Sequence, residues 1–172
     1  CAEGRCQSAS CGDGRRNGSE TDVDCGGGCA GCLPGKACKV AADCASGICT
    51  GELCQAPSCV DGVLNGSESD VDCGGGCPAG CLEGQACRGP GDCASSVCAG
   101  QRCQAAGCSD GVRNGSETDV DCGGACSARC APGKGCAVDT DCASGRCVSG
   151  TCADASCTDG LRNGTESDVD CG

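Results

Sequence analysis

Apolar residues along this chain follow no helical period. No window places them at i, i+3, i+4 and i+7, so no amphipathic helix is predicted. The strongest local signals are turns. Asn17-Gly18, Asn65-Gly66, Asn114-Gly115 and Asn163-Gly164 pair two residue types that tolerate positive φ. Short two-stranded ribbons are expected around some turns. Ser19-Glu20-Thr21-Asp22 predicts a single helical turn, because a Ser cap and an acidic residue three positions on can reciprocate. The remainder reads as irregular loop.

Composition explains why the pattern is so thin. Val, Leu and Ile total 17 of 172 residues, and Phe, Trp, Tyr, Met and His are absent. Burying an aliphatic side chain yields about 1.5–3 kcal/mol, whereas ordering one residue's backbone costs about 1–2 kcal/mol. Apolar burial therefore cannot order this chain. The 28 Cys can, because each disulfide contributes about 2–4 kcal/mol, mainly by restricting the unfolded state. Persistent disulfides imply an oxidising space, so an extracellular or cell-surface location is expected. No membrane span is visible in the sequence.

The Cys spacing repeats. Cys11, Cys59, Cys108 and Cys157 each open a loop of 13 residues that closes at Cys25, Cys73, Cys122 and Cys171. Residues 11–58, 59–107 and 108–156 form three full repeats of eight Cys each. Residues 1–10 match the end of a repeat and 157–172 the start of one. The reading is an excerpt from a longer array. Its fold class is small disulfide-rich tandem repeats, mostly loops and turns with short β-ribbons and little helix, stacked as a rod-like or filamentous array.

The 13-residue loops hold 16 of the 24 acidic residues. Their oxygen-bearing positions are Asp13, Asn17, Glu20, Asp22 and Asp24 in the first copy. The equivalents are Asp61, Asn65, Glu68, Asp70 and Asp72, then Asp110, Asn114, Glu117, Asp119 and Asp121, then Asp159, Asn163, Glu166, Asp168 and Asp170. Calcium takes six to eight oxygens, and a pinned loop with four carboxylates and one amide is a candidate Ca2+ site. The alternative is a solvated acidic loop that keeps the array soluble. The spacing is not that of an EF-hand. No organic cofactor is indicated. A second pattern overlaps the first: Asn17, Asn65, Asn114 and Asn163 all fit N-x-[ST] and are candidate carriers of covalent sugar. Against that stands the plain Asn-Gly turn.

Zinc and thiol exchange are alternatives for the Cys. Cys29 and Cys32 form a C-x-x-C pair, but the matching pairs are C-x-x-x-C, and neither His nor C-x-C occurs. Structural disulfides fit better. Eight Cys allow 105 pairings; the expectation adopted here closes each acidic loop on its own flanks, as Cys11–Cys25, Cys59–Cys73, Cys108–Cys122 and Cys157–Cys171.

The loop consensus C-x-D-G-x-x-N-G-[ST]-E-[ST]-D-V-D-C-G-G is followed by G-x-x-C-x-x-x-x-D-C-x-S-x-x-C-x-x-x-x-C, as in Gly35–Cys54, Gly84–Cys103 and Gly133–Cys152. Together they resemble the cysteine-rich tandem repeats of predicted secreted surface proteins of myxobacteria and related bacteria. The resemblance covers essentially the whole chain. It implies a many-repeat surface or appendage protein and no catalytic residue.

Without His, a Ser or Cys nucleophile lacks its usual base, so an enzyme is not expected. A net charge of −12 argues against nucleic acid and anionic membranes as partners. The expected function is a structural subunit of an extracellular or cell-surface fibre, with copies of itself as partners along that fibre. The competing reading is a calcium-dependent adhesin or binding module, against which the missing aromatics count.

Overall fold

The computed structural model describes residues 8–170. The chain divides into two compact units, Cys1–Gly80 and Cys81–Gly172, and the boundary falls inside the second repeat. Each unit is built from turns, 3-10 turns and two-residue strands.

In the first unit, Ala41–Asp43 forms a 3-10 turn, followed by β1 (Cys49–Thr50) and β2 (Leu53–Cys54). These strands pair antiparallel, Cys49 opposite Cys54 and Thr50 opposite Leu53. The connecting Gly51 and Glu52 both have positive φ, 60° and 61°. That is the backbone of a two-residue hairpin whose twist matches its strands. The second unit repeats the arrangement twice. Pro90–Asp92 precedes β3 (Cys98–Ala99) and β4 (Arg102–Cys103), and Asp139–Asp141 precedes β5 (Cys147–Val148) and β6 (Thr151–Cys152). The ribbons therefore form in the back half of each repeat. The Asn-Gly dipeptides instead make tight turns without a hairpin, with the Glu20 N–H donating to the Asn17 carbonyl at 3.2 Å. The helical turn expected at Ser19–Asp22 does not form. Glu20 reciprocates with the Asn17 N–H, and the Ser19 hydroxyl accepts from the Gly28 N–H.

Among the described residues, every buried apolar side chain is a half-cystine. Cys32, Cys38, Cys44 and Cys54 cluster in the first unit, with Cys25 and Cys49 packed against them. Cys122, Cys130, Cys142 and Cys152 form the equivalent cluster in the second, flanked by Cys136 and Cys147. Most Val and Leu side chains lie outside, with Val60 85% exposed, Leu33 69% and Leu82 68%, while Ile48, Val63, Val97 and Val112 are half-buried. Sulfur fills the interior because chain segments held about 5–6 Å apart at their Cα atoms leave no space for a branched side chain between them.

The pairing corrects the sequence expectation. Cys11 bonds Cys29 and Cys25 bonds Cys32, so the first acidic loop is not closed by its own flanks. Likewise Cys59 bonds Cys77 rather than Cys73, and Cys108 bonds Cys126 while Cys122 bonds Cys130. The back half pairs Cys38 with Cys49 and Cys44 with Cys54, repeated in Cys136–Cys147 and Cys142–Cys152. Cys87–Cys98 and Cys93–Cys103 follow the same order. Numbered within a repeat, the bonds in both halves interleave: first with third and second with fourth.

Local geometry decides this. The Thr21 and Asp22 N–H groups both donate to the Cys25 carbonyl, and the Cys25 N–H returns to Asp22. This tight turn directs Cys25 across the glycines towards Cys32. Gly27 has φ +59°, and an added Cβ there would overlap the Ser19 carbonyl, so this crossing requires glycine. Loop length opposes little, because closure entropy grows only logarithmically. The expected Cys157–Cys171 bond ends on a residue outside those described. Cys157 itself is exposed and has no disulfide partner among the described residues.

Candidate functional site: the acidic loop and the repeat junction

The acidic side chains divide by what they hold. Asp24 sits in the left-handed region at φ 58° and accepts from the Gly14 N–H with both carboxylate oxygens at 3.0 Å. Asp13 accepts from the Arg15 N–H at 3.0 Å and from the Asn17 amide at 2.8 Å. Glu20, 7% exposed, accepts from the Asn17 N–H at 3.0 Å. Asp22 faces the other way. It accepts from Val23 and, across to the back half, from the Ala37 N–H at 2.8 Å, with Lys36 at 3.5 Å. Asp13, Asn17 and Glu20 thus meet. Asp24 joins the start of the loop to its end, and Asp22 ties the loop to the ribbon.

The pattern recurs in the other copies. Asp72, Asp121 and Asp170 accept from Gly62, Gly111 and Gly160. Asp61, Asp110 and Asp159 accept from Val63, Val112 and Leu161. Glu68, Glu117 and Glu166 accept from the N–H groups of Asn65, Asn114 and Asn163. Asp70 and Asp168 accept from Val71 and Val169, and Asp119 accepts from Gly135 and pairs with Lys134 at 3.2 Å. The candidate calcium carboxylates are therefore engaged by backbone N–H groups, whereas the side-chain oxygens of Asn17, Asn65, Asn114 and Asn163 are buried without a hydrogen-bond partner.

These bonds favour the charged forms. The Asn17 amide holds Asp13 below the ordinary carboxylate range, and the Ala37 N–H does the same for Asp22. The Gly135 N–H, with Val120 and Lys134, brings Asp119 to about 2.

Asp43 belongs with this set although it lies outside the acidic loop. It is 4% exposed and accepts from the Gly27, Lys39 and Val40 N–H groups at 2.9, 2.7 and 3.0 Å. Asp141 repeats all three contacts with Gly124, Ala137 and Val138. The available signal was the Asp that precedes the sixth Cys in every full repeat: Asp43, Asp92 and Asp141.

The asparagines of the N-x-[ST] pattern form the junction between repeats. The Asn65 side-chain amide donates to the Ser46 carbonyl of the preceding repeat at 3.0 Å and to Asp61 at 3.2 Å. Asn114 donates to the Ser95 carbonyl and Asp110, and Asn163 to the Ser144 carbonyl and Asp159. Both amide hydrogens are used at each junction, so a sugar on Nδ2 would replace one of these bonds.

Sulfur clusters such as Cys38, Cys44 and Cys54 lie close enough to hold a metal only as thiolates, and here they are oxidised to disulfides. A cleft of about 480 Å³ in the first unit, lined by Arg16, Lys39, Glu52 and neighbours, brings opposite charges together. Among the described residues no helix is long and apolar enough to cross a membrane. No protein-family model, curated protein sequence or solved structure matches the chain.

Proposed function

We propose that the chain is a non-catalytic structural segment of a secreted or cell-surface fibre, in which disulfide-stapled repeats are latched end to end. The carrying observation is the junction: the same asparagine grips the same carbonyl, nineteen residues back, at Asn65, Asn114 and Asn163. A contact that recurs in register suits a periodic assembly, where each unit supports its neighbour. The likeness of the loop consensus to bacterial surface repeats points the same way. On this reading the acidic residues are internal acceptors that replace missing secondary structure, and the N-x-[ST] asparagines are latches rather than sugar carriers.

Electron microscopy of the native material tests the proposal. Uniform filaments whose axial period tracks the 48–49-residue repeat are expected. Dispersed monomers that bind cells or glycans would instead establish the adhesin. Calcium is tested separately: exhaustive chelation should leave the melting temperature and protease resistance unchanged. A clear loss of either would return the acidic loop to cation binding.

A further inference from the structure

One carboxylate oxygen in each repeat faces a disulfide. Glu20 uses Oε2 on the Asn17 N–H, and its Oε1 lies 3.7 Å from Sγ of Cys29, in the Cys11–Cys29 bond. Glu117 lies 3.7 Å from Cys126 in Cys108–Cys126, and Glu68 lies 3.6 Å from Cys77 in Cys59–Cys77. An oxidised sulfur carries no hydrogen, so these contacts are not hydrogen bonds. The Glu20 oxygen and both sulfurs of its bridge lie within 4.8 Å of one another. Cys11 and Cys108 are exposed and Cys29 and Cys126 only half-buried, so the bridge next to the carboxylate is open to solvent reagents.

We propose that Glu20, and its equivalents Glu68 and Glu117, guard the adjacent disulfide electrostatically against reduction by small thiols. The reaction resisted is thiol–disulfide exchange. A thiolate attacks the exposed Cys11 sulfur and forms a mixed disulfide. The Cys11–Cys29 bond breaks, and Cys29 leaves with the electron pair, to be protonated by water. A second thiol then attacks the mixed disulfide, releasing Cys11; the reagent ends as its own disulfide and the cystine as two thiols. The carboxylate acts at two points. It repels the incoming anion, and it destabilises the thiolate that forms beside it, making Cys29 a poorer leaving group. This role is independent of whether the chain assembles into fibres.

The test is site-resolved reduction with dithiothreitol at pH 8, read by differential alkylation and peptide mass spectrometry. Cys38–Cys49 is the internal reference, because Cys38 is buried and clusters with the sulfurs of Cys44 and Cys54. Glu20→Gln keeps an acceptor oxygen for the Asn17 N–H and removes the charge. The rate at Cys11–Cys29 relative to the reference should rise roughly 3- to 10-fold. An unchanged ratio overturns the proposal. A second measurement needs no variant: the unaltered protein is reduced with cationic cysteamine or anionic 3-mercaptopropionate. The cationic thiol should be selectively faster at Cys11–Cys29, and the advantage should shrink in high salt. Equal ratios for both reagents would also overturn it.

Discussion

At the scale of single residues, Asp carboxylates do what strand ladders do in larger proteins. Asp43 satisfies three backbone N–H groups from two separate stretches, and Asp24 spans ten residues to Gly14. Acceptors of this kind bind N–H groups most strongly when ionised. Because N–H donors lower the pKa of Asp22, Asp43, Asp119 and Asp141 in the folded chain, their stabilisation is complete above the unfolded value of about 3.9. It is lost as pH falls through the folded values, about 2 for Asp119. The melting temperature should therefore be flat from neutral pH to about pH 5 and decline from about pH 4 towards pH 2. Equal melting temperatures at pH 7 and pH 2 would refute this role. In the same way, Asp43→Ala should speed amide exchange at Gly27, Lys39 and Val40 by at least about tenfold, without comparable change at Gly14.

At the scale of elements, the hairpins carry a removable cost. Glu52 and Gln101 hold φ 61° and 62°, where a residue with a Cβ costs roughly 1–2 kcal/mol. Glycine avoids that cost but loses some entropy on folding. Glu52→Gly should consequently stabilise the β1–β2 hairpin by about 0.5–1 kcal/mol, measurable by denaturant melting. A destabilised variant would mean that the Glu52 side chain has a role of its own.

The hairpins also show what the sequence revealed and what it hid. The repeat period, the scarcity of helix and the dependence on sulfur follow from Cys spacing and the lack of aliphatic residues. The position of the ribbons did not. Asn17-Gly18 is a stronger turn signal than Gly51-Glu52, yet the ribbon forms at the weaker one, where Cys38–Cys49 and Cys44–Cys54 clamp its strands. The disulfide pairing was hidden for a related reason: Cys11 can close on Cys25 or Cys29 at nearly equal entropic cost, and the Thr21–Cys25 turn makes the choice. Among the acidic residues, type and spacing identified the loop as special. Only the direction of each carboxylate showed that at least one of its oxygens turns to a backbone N–H group.

At the scale of the molecule, one contact recurs between neighbouring repeats, the asparagine amide on a serine carbonyl. Asn114→Ala removes the bond to the Ser95 carbonyl and should cost about 0.5–1.5 kcal/mol. Asn114→Asp should cost more, because it sets a carboxylate against Asp110 and the Ser95 carbonyl. Calorimetry should show the transition broadening in that order. Equal effects of Ala and Asp would indicate that the amide makes no directional contact there.

An interior of half-cystines, with most valines and leucines left in water, also sets how stability responds to temperature. Unfolding exposes little new hydrocarbon, so the heat-capacity increment per residue should lie below the roughly 12–15 cal/mol/K of ordinary globular domains. A small increment flattens the curve of free energy against temperature. Cooling should therefore weaken such a chain little, because the half-cystine interior depends little on the hydration of hydrocarbon.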